Sequence, residues 1–132
     1  MASILKVDEL RGIAAAGDIT ITTEGGSATM QLQQGVAKHW ANWNGTGTVA
    51  FRDSFNASSL EDAGAGLYRP VMTNPMTAAN YSIGKSASNY SLSTSSTSYS
   101  DQTTKFYNYV QNSSGTYTDA AGVYSQAFGD LA

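Results

Sequence analysis

The chain has 132 residues, of which 13% are charged and 41% hydrophobic, and it contains no cysteine. This length suits one domain with a modest core, and the absence of cysteine excludes a disulfide scaffold, thiolate chemistry and cysteine-ligated zinc. The formal net charge of −3 argues against binding to a phosphate backbone, so we expect no nucleic-acid partner. No apolar run approaches the roughly 20 residues of a membrane span, and the first ten residues lack the pattern of a secretory signal. We therefore expect a soluble chain made in a cytoplasm, with no membrane insertion.

The composition favours β-structure. Charged residues are about half as frequent as the usual ~25%, and Ser, Thr, Gly, Ala and Tyr take their place. Ser and Thr suit strands and turns, and glycine-rich turns punctuate all-β folds. We predict an all-β protein in which residues 1–34 form an N-terminal attachment and oligomerisation arm and residues 35–132 form a small antiparallel β-sandwich.

The N-terminal arm contains short apolar runs with little to pack against. Residues 3–9 are predicted as an extended strand with Leu5 and Val7 on one face. Residues 18–23 alternate isoleucine with threonine, which is the period of a half-buried strand, and residues 24–27 form a turn. The arm has too few apolar residues for a core of its own, so it is either flexible or ordered by pairing with other chains or with a particle.

The segment 35–83 is the richest in apolar residues. Val36 and Trp40 have the spacing of a short helix, but alternation around Trp43 and the turn signal of residues 44–47 favour a strand. Residues 48–55 are predicted as a strand with Val49, Phe51 and Phe55 on one face. Residues 61–66 are predicted as a turn and residues 67–73 as a strand, which Pro75 ends. A further strand begins near Tyr81.

The last part of the chain is predicted as hairpins. The serine-rich residues 86–100 form a β-hairpin or an exposed loop. Residues 104–111 form a strand, residues 112–115 a hairpin turn, and residues 121–128 a last strand with Val123 and Tyr124 on opposite faces.

No motif for catalysis or metal binding is present in the sequence. His39 is the only histidine, and we predict a structural or surface role for it because one histidine cannot build a metal site alone. The adjacent Glu61 and Asp62 are predicted to lie in a solvated turn, with weak calcium binding as the less favoured alternative. Gly64 and Gly66 are predicted to form a turn rather than an anion site, because no helix follows them. We expect no enzyme activity, no metal and no cofactor.

Aromatic residues offer a better functional lead. Seven tyrosines lie between residues 81 and 124, among few charges. Tyr and Trp combined with Ser, Gly and Asn build adaptable recognition surfaces, and aromatic rings also stack on sugars. The alternative is that most of these tyrosines pack within strands with the hydroxyl group at the rim.

Residues 35–83 also carry an extended motif. It reads Lys-x-Trp-x-x-aromatic-Asn-Gly-Thr, then Ser-Phe-Asn-x-Ser-Ser, then Gly-x-Gly-x-Tyr and Pro-Met-x-x-Ala-Asn-Tyr. This pattern resembles the small C-terminal modules of tail fibre and related virion proteins of tailed bacteriophages, which are common in phages of marine bacteria. The start of the chain is similar to the attachment segment of those proteins, and residues 123–132 are similar to their closing strand. Residues 69–72 depart from the family, which shows a cleaner alternating strand there. The motif positions for which we expect a structural role are Trp40, Trp43, Gly45, Phe55, Asn56, Gly66, Tyr68, Pro75, Asn80 and Tyr81.

The resemblance implies a non-enzymatic virion component, a β-sandwich subunit that forms a homotrimer on a tail fibre or on the capsid and is assembled in the cytoplasm of the host bacterium. Its partners are then itself, other virion proteins of the tail or capsid, and a host surface glycan or protein. The expected oligomer or virion interface comprises Ile4, Leu5, Val7, Leu10, Ile19 and Ile21. The expected receptor contacts, in distal loops, are Asn89, Tyr90, Ser96 and Tyr99.

Two functions follow from this resemblance. The first is a tail-fibre-like module that contributes to recognition of the host surface. The second is a purely structural role as a capsid decoration, head-fibre or tail adaptor protein, which the lack of a long shaft in the chain favours. A depolymerase is a weak third alternative, because no pair of acids can be placed across a cleft.

Overall fold

The computed structural model describes residues 4–13, 19–22, 25–26, 28–93 and 100–132. The chain divides into two compact units, Met1–Val36 and Ala37–Ala132. The arm was predicted to end at residue 34, two residues before this division. We describe each unit by itself.

The described residues of the N-terminal unit form one small hairpin and one helical turn. Strand β1 (Thr20–Thr22) pairs antiparallel with β2 (Thr29–Gln31), and the four-residue helix α1 (Leu32–Gly35) follows. Gly25 and Gly26, between the strands, have φ angles of 99° and 76°, which glycine adopts without steric strain. The strand predicted for residues 3–9 is wrong for residues 4–9, which form no strand. Alternation alone does not make a strand, because its backbone groups also need a neighbouring strand to pair with.

The C-terminal unit is a small β-sandwich of two antiparallel sheets, as predicted from the sequence. The strands of the first sheet, in spatial order, are β4 (Ala50–Phe55), β3 (His39–Asn44), β10 (Val123–Phe128) and β7 (Ser82–Ala87). The strands of the second sheet are β5 (Ser59–Gly64), β6 (Leu67–Val71), β9 (Asn108–Gln111) and β8 (Ser91–Ser93). The helix alternative for Val36 and Trp40 is wrong, because α1 ends at Gly35 and Trp40 lies in β3.

The core has two clusters of buried side chains. One contains Trp43, Tyr68, Val110 and Val123 with two alanines. The other contains Met72, Met76, Phe106 and Ala127. Residues from strands of both sheets form the first cluster, whereas the second joins Ala127 of β10 to side chains of the segments that follow β6 and precede β9. Burial of apolar surface therefore holds the sheets together.

The alternation predicted for the central strands is confirmed. In β10 Val123 is fully buried whereas Tyr124 is 44% exposed, and in β3 Trp43 is fully buried whereas Trp40 is 39% exposed. Both strands therefore present one face to the core and the other to solvent.

The common face predicted for Val49, Phe51 and Phe55 is confirmed for Val49 and Phe51, which pack against the first core cluster, and is wrong for Phe55, because β4 contains a β-bulge. Asn42 pairs with Asp53, but the next residue, Trp43, pairs with Phe51. One extra residue, Arg52, is therefore accommodated between the two pairs, and this reverses the alternation. Phe51 packs against the core cluster, whereas Phe55 is 51% exposed.

The turn predicted for residues 61–66 is too long. Glu61 and Asp62 lie within β5, and the turn is confined to Ala65 and Gly66. The Glu61 carboxylate is partly buried and pairs with Arg69 at 2.8 Å and Lys105 at 3.2 Å, so the prediction of a solvated pair is wrong for Glu61.

Strand β6 tolerates a buried proline. The strand ends at Val71 rather than at residue 73, and β9 pairs with it only at Leu67 and Tyr68. The backbone N–H that Pro70 lacks is therefore not needed by β9 at that position.

The segment before and within β9 is buried on both faces. Residues 106–110 are all buried, although the strand covers only Asn108–Gln111 and not the predicted 104–111. The Tyr107 and Tyr109 rings stack with centroids 6.1 Å apart, Tyr117 covers Tyr109, and the Arg69 guanidinium lies 5.7 Å from the Tyr107 ring centroid. These side chains cover what the alternation predicted to be a solvent face.

Two predicted connections can be compared with the structure. The turn at residues 112–115 is confirmed, since Asn112 donates its N–H to the Thr116 carbonyl and Gly115 has a φ of 77°. In the serine-rich region, β7 is followed by a tight turn at Ser88 and Asn89 and then by β8, and residues 94–99 lie outside the described residues. Within the described ranges the only helix is α1, which is far too short to cross a membrane.

Candidate functional site

The N-terminal unit exposes its apolar side chains. None of its described residues is buried, and Ile4 and Leu5 are 79% and 78% exposed. We use the term N-terminal apolar surface for its large exposed side chains, which are Ile4, Leu5, Val7, Leu10, Ile13, Ile21, Met30 and Val36. Of the predicted interface residues, only Ile19 is half-buried.

A groove of about 560 Å³ lies within the same unit. Its apolar wall comprises Leu10, Ile19, Leu32 and Val36, and Arg11, Gly12 and Gln33 complete the lining. The Arg11 guanidinium is paired with the carboxylate of Glu9. Apolar side chains from another molecule would occupy this groove without leaving a buried charge unpaired.

A second exposed surface lies on the outer face of the first sheet of the sandwich. Phe55 is opposite Trp40, and Trp40 is in turn opposite Gln126, which is opposite Gly84. Because paired residues of antiparallel strands point to the same face, these four positions form one row across all four strands. Tyr124 lies in the next row, diagonal to Trp40. We call Trp40, Phe55, Tyr124 and Gln126 the aromatic face.

The aromatic face adjoins a shallow depression of about 290 Å³. Its lining residues are Gly84, Lys85, Ser86, Tyr124, Ser125 and Gln126. Gly84 keeps the depression open, because a Cβ atom there would lie 3.0 Å from the Gln126 amide nitrogen.

The cations near this face are already engaged. The Arg52 guanidinium donates to Asn42 Oδ1 at 3.3 Å and to the Trp43 and Ala121 carbonyl oxygens. Lys85 Nζ donates to the Tyr107 carbonyl oxygen and lies 5.7 Å from the centroid of the Phe106 ring. Burial lowers the pKa of Lys85, and the nearby Asp101 carboxylate partly opposes that shift.

Several motif residues form a hydrogen-bonded group around the buried Tyr68. The Tyr68 hydroxyl is 2.7 Å from the Gly45 carbonyl oxygen and 2.8 Å from Asp119 Oδ1, which also accepts the Gly66 N–H at 2.7 Å. Burial, followed by the hydrogen bond to Asp119, raises the pKa of Tyr68 well above its usual value. The Tyr68 hydroxyl therefore stays protonated and has a structural role.

Asn56 and His39 form a second structural group. Asn56 has a left-handed backbone (φ 53°), and its side chain bonds to the Lys38 carbonyl at 2.8 Å and to both backbone groups of Asn74. His39 is fully buried, with Nδ1 3.2 Å from the Asn56 carbonyl oxygen and Nε2 3.4 Å from Ser125 Oγ. Burial lowers the pKa of His39.

The remaining motif positions are more varied. Tyr81 donates its hydroxyl to the Gln102 carbonyl at 2.8 Å, and burial raises its pKa. Pro75 is half-buried and accepts the Ala132 N–H through its carbonyl oxygen, whereas Asn80 is exposed.

Two of the four predicted receptor contacts, Asn89 and Tyr90, lie among the described residues, and neither belongs to the aromatic face. Asn89, with a φ of 62°, and Tyr90, which is 38% exposed, lie at the turn between β7 and β8. Ser96 and Tyr99 lie outside the described residues. The sequence motif predicts a structural role for Trp40 and Phe55 and carries no signal for Gln126, because only strand register brings these residues together.

Within the described residues no three His, Cys, Asp or Glu side chains cluster so as to hold a metal ion. The chemistry available on both surfaces is apolar contact and neutral hydrogen bonding. No protein-family model, curated protein or solved structure matches this chain.

Proposed function

We propose that this chain is a bacteriophage virion structural protein, a tail-fibre-like module that forms a homotrimer through its N-terminal unit and contributes to host-surface recognition. The observation that carries the proposal is the N-terminal apolar surface. Its eight large side chains are exposed, in a unit whose described residues include none that is buried. The resemblance of the central motif supplies the virion context.

The N-terminal apolar surface leaves apolar area in contact with water. Moving a leucine, isoleucine or valine side chain out of water contributes roughly 1.5–3 kcal/mol. Ile4, Leu5, Val7 and Leu10 obtain little of this within the chain, since each is more than half exposed. Contact with equivalent segments of two further copies would bury them, and apolar side chains of a partner would occupy the groove beside Leu10.

Oligomeric state gives the first test. We expect light scattering coupled to size-exclusion chromatography to report a trimer for the full chain and a monomer or aggregate for the triple variant Ile4→Ser, Leu5→Ser, Val7→Ser. The matched control, Lys6→Ser with Asp8→Ser, changes polar residues of the same segment and should remain trimeric. A stable trimer of the triple variant would contradict the interface.

Location on the particle gives the second test. A gold-labelled antibody against the chain should label tail tips or fibres of intact particles. Label spread over the head would instead indicate the purely structural role of a capsid decoration protein. Particles without label would contradict the virion proposal.

A further inference from the structure

We propose that the aromatic face binds a neutral glycan, with sugar rings stacking on Trp40 and Phe55 and with Gln126 and Tyr124 supplying hydrogen bonds. This inference rests on the host-recognition part of the proposed function. It names the ligand class and places the site on the sheet rather than in the loop at Asn89 and Tyr90.

The row of four residues across the sheet combines aromatic rings with an amide, which suits a sugar. It passes from Phe55 and Trp40 at one side to Gln126 and Gly84 at the other, one residue from each strand. Neighbouring strands lie about 4.8 Å apart, so the row from Phe55 to Gln126 spans roughly 10 Å. A sugar ring has a C–H face and a hydroxyl rim, and this row offers both an aromatic and an amide surface to it.

The rings of the aromatic face are partly exposed. Trp40, Phe55 and Tyr124 are 39%, 51% and 44% exposed, although each lies in a strand of the sandwich. Hydrogen-bonded neighbours fix the backbone of β3 and β10 on both sides. The backbone that carries these two rings therefore loses little conformational entropy on binding.

The depression beside Tyr124 and Gln126 offers room for a small ligand. Its volume of about 290 Å³ is just below the roughly 300–1,000 Å³ found for small-molecule sites, which suits a single sugar ring. The Gln126 amide, the Tyr124 hydroxyl and the Ser86 hydroxyl provide donors and acceptors at its border. Gly84 leaves the space that a larger side chain would fill.

The charges on and beside the row favour a neutral ligand. The four positions of the row are uncharged, and Arg52 and Lys85 are turned to backbone carbonyls of the protein. Asp53, opposite Asn42 in the next row, is an exposed anion. An acidic glycan would meet this carboxylate without a free cation on the face, so charge complementarity favours a neutral ligand.

The size of the surface argues against a second copy as the occupant. A stable protein interface buries about 800 Å² on each partner. Three partly exposed rings bordered by Asn42, Asp53 and Ser86 provide only a fraction of that apolar area.

The test uses the full chain on an array of neutral oligosaccharides built from glucose, galactose and mannose, with polygalacturonate and polysialate as acidic probes. We expect binding to a neutral oligosaccharide. Trp40→Ala and Phe55→Ala should each weaken it about tenfold, as expected for the loss of one stacked ring. Gly84→Ala, which retains every aromatic ring, should also weaken it by displacing Gln126.

Two controls separate this site from the loop. Tyr90→Ala and Asn89→Gly, which keeps the left-handed backbone, should bind as the unaltered protein does. In ¹H–¹⁵N spectra the bound oligosaccharide should shift the indole signal of exposed Trp40 and leave that of buried Trp43 nearly unchanged. Thermal unfolding verifies that each variant is folded.

The inference is overturned if no neutral oligosaccharide binds, if only the acidic probes bind, or if folded Trp40→Ala binds normally. It is also overturned if Trp40→Ala loses the trimer, which would make the face a contact between copies. Its failure is distinct from failure of the virion proposal. Labelled particles without glycan binding contradict only this inference, whereas glycan binding without labelled particles contradicts only the virion role.

Discussion

Gly45 and Tyr68 share a space too small for any further atom. A Cβ atom at position 45 would lie 2.5 Å from the Tyr68 hydroxyl oxygen and 2.8 Å from the Ala120 carbonyl oxygen. The motif glycine is thus explained by the close approach of a buried tyrosine, which is a packing requirement and not a turn requirement.

Replacement of this glycine should be strongly destabilising. We expect Gly45→Ala to lower the free energy of unfolding by about 2–4 kcal/mol, because the tyrosine must move away from both of its hydrogen-bond partners. Urea denaturation measures the change. Gly84→Ala is the matched control, since its Cβ meets only the flexible Gln126 side chain and should cost less than about 1 kcal/mol.

His39 should make the stability of the sandwich sensitive to mild acid. Its pKa is lowered in the folded state, so the unfolded state binds a proton first as the pH falls. The stabilising contribution is complete above the unfolded pKa of about 6.5 and is lost as the pH falls below it.

The variant His39→Gln isolates this effect. Its amide can bond to both neighbours of His39 but does not titrate. We expect the urea midpoint of the unaltered protein to fall more between pH 7.5 and pH 5.5 than that of His39→Gln. Equal falls would show that other groups produce the dependence.

At the scale of elements, strand β4 shows how a single inserted residue changes a face. Sequence alternation identified the strand but placed Phe51 and Phe55 together, and the bulge at Arg52 separates them. A bulge depends on pairing with β3, so residue alternation within β4 carries no signal for it.

The bulge gives opposite expectations for the two phenylalanines. Phe51 packs edge-to-face on Trp43 with ring centroids 6.4 Å apart, so Phe51→Ser should lower the free energy of unfolding by about 2–4 kcal/mol. Phe55→Ser, at an exposed position, should lower it by less than about 1 kcal/mol. Similar losses from thermal or urea unfolding of both variants would contradict the register.

At the scale of the whole molecule, the two units differ in how they bury apolar residues. The sandwich has a buried core, whereas the described residues of the N-terminal unit have none. Local stability follows burial and hydrogen bonding, so the two units should open on different timescales.

Hydrogen exchange should reveal this difference and its dependence on assembly. We expect amides of residues 4–13 to exchange rapidly in the monomeric Ile4→Ser, Leu5→Ser, Val7→Ser variant and slowly in the assembled protein. Amides of β3 and β10 should be protected in both and serve as the internal control. Slow exchange of residues 4–13 in the monomer would show that the segment has its partner within its own chain.

The sequence by itself determined the all-β class, the strand at Val123 and Tyr124, and the turn at residues 112–115. These features follow from period-two alternation and from turn-forming residues, which act over a few neighbouring positions. It also identified the exposed apolar character of the N-terminal segment, because too few apolar residues are present there for a core.

Only the tertiary structure decided which side chains come together. Trp40 and Tyr124 are more than eighty residues apart, and Phe55 joins them only because β3 pairs with β4 on one side and β10 on the other. The sequence predicts that Glu61 lies in a solvated turn. In the structure, β6 and the segment before β9 bring Arg69 and Lys105 to its carboxylate. Register and pairing between distant strands depend on packing of the complete core, and no local pattern specifies them.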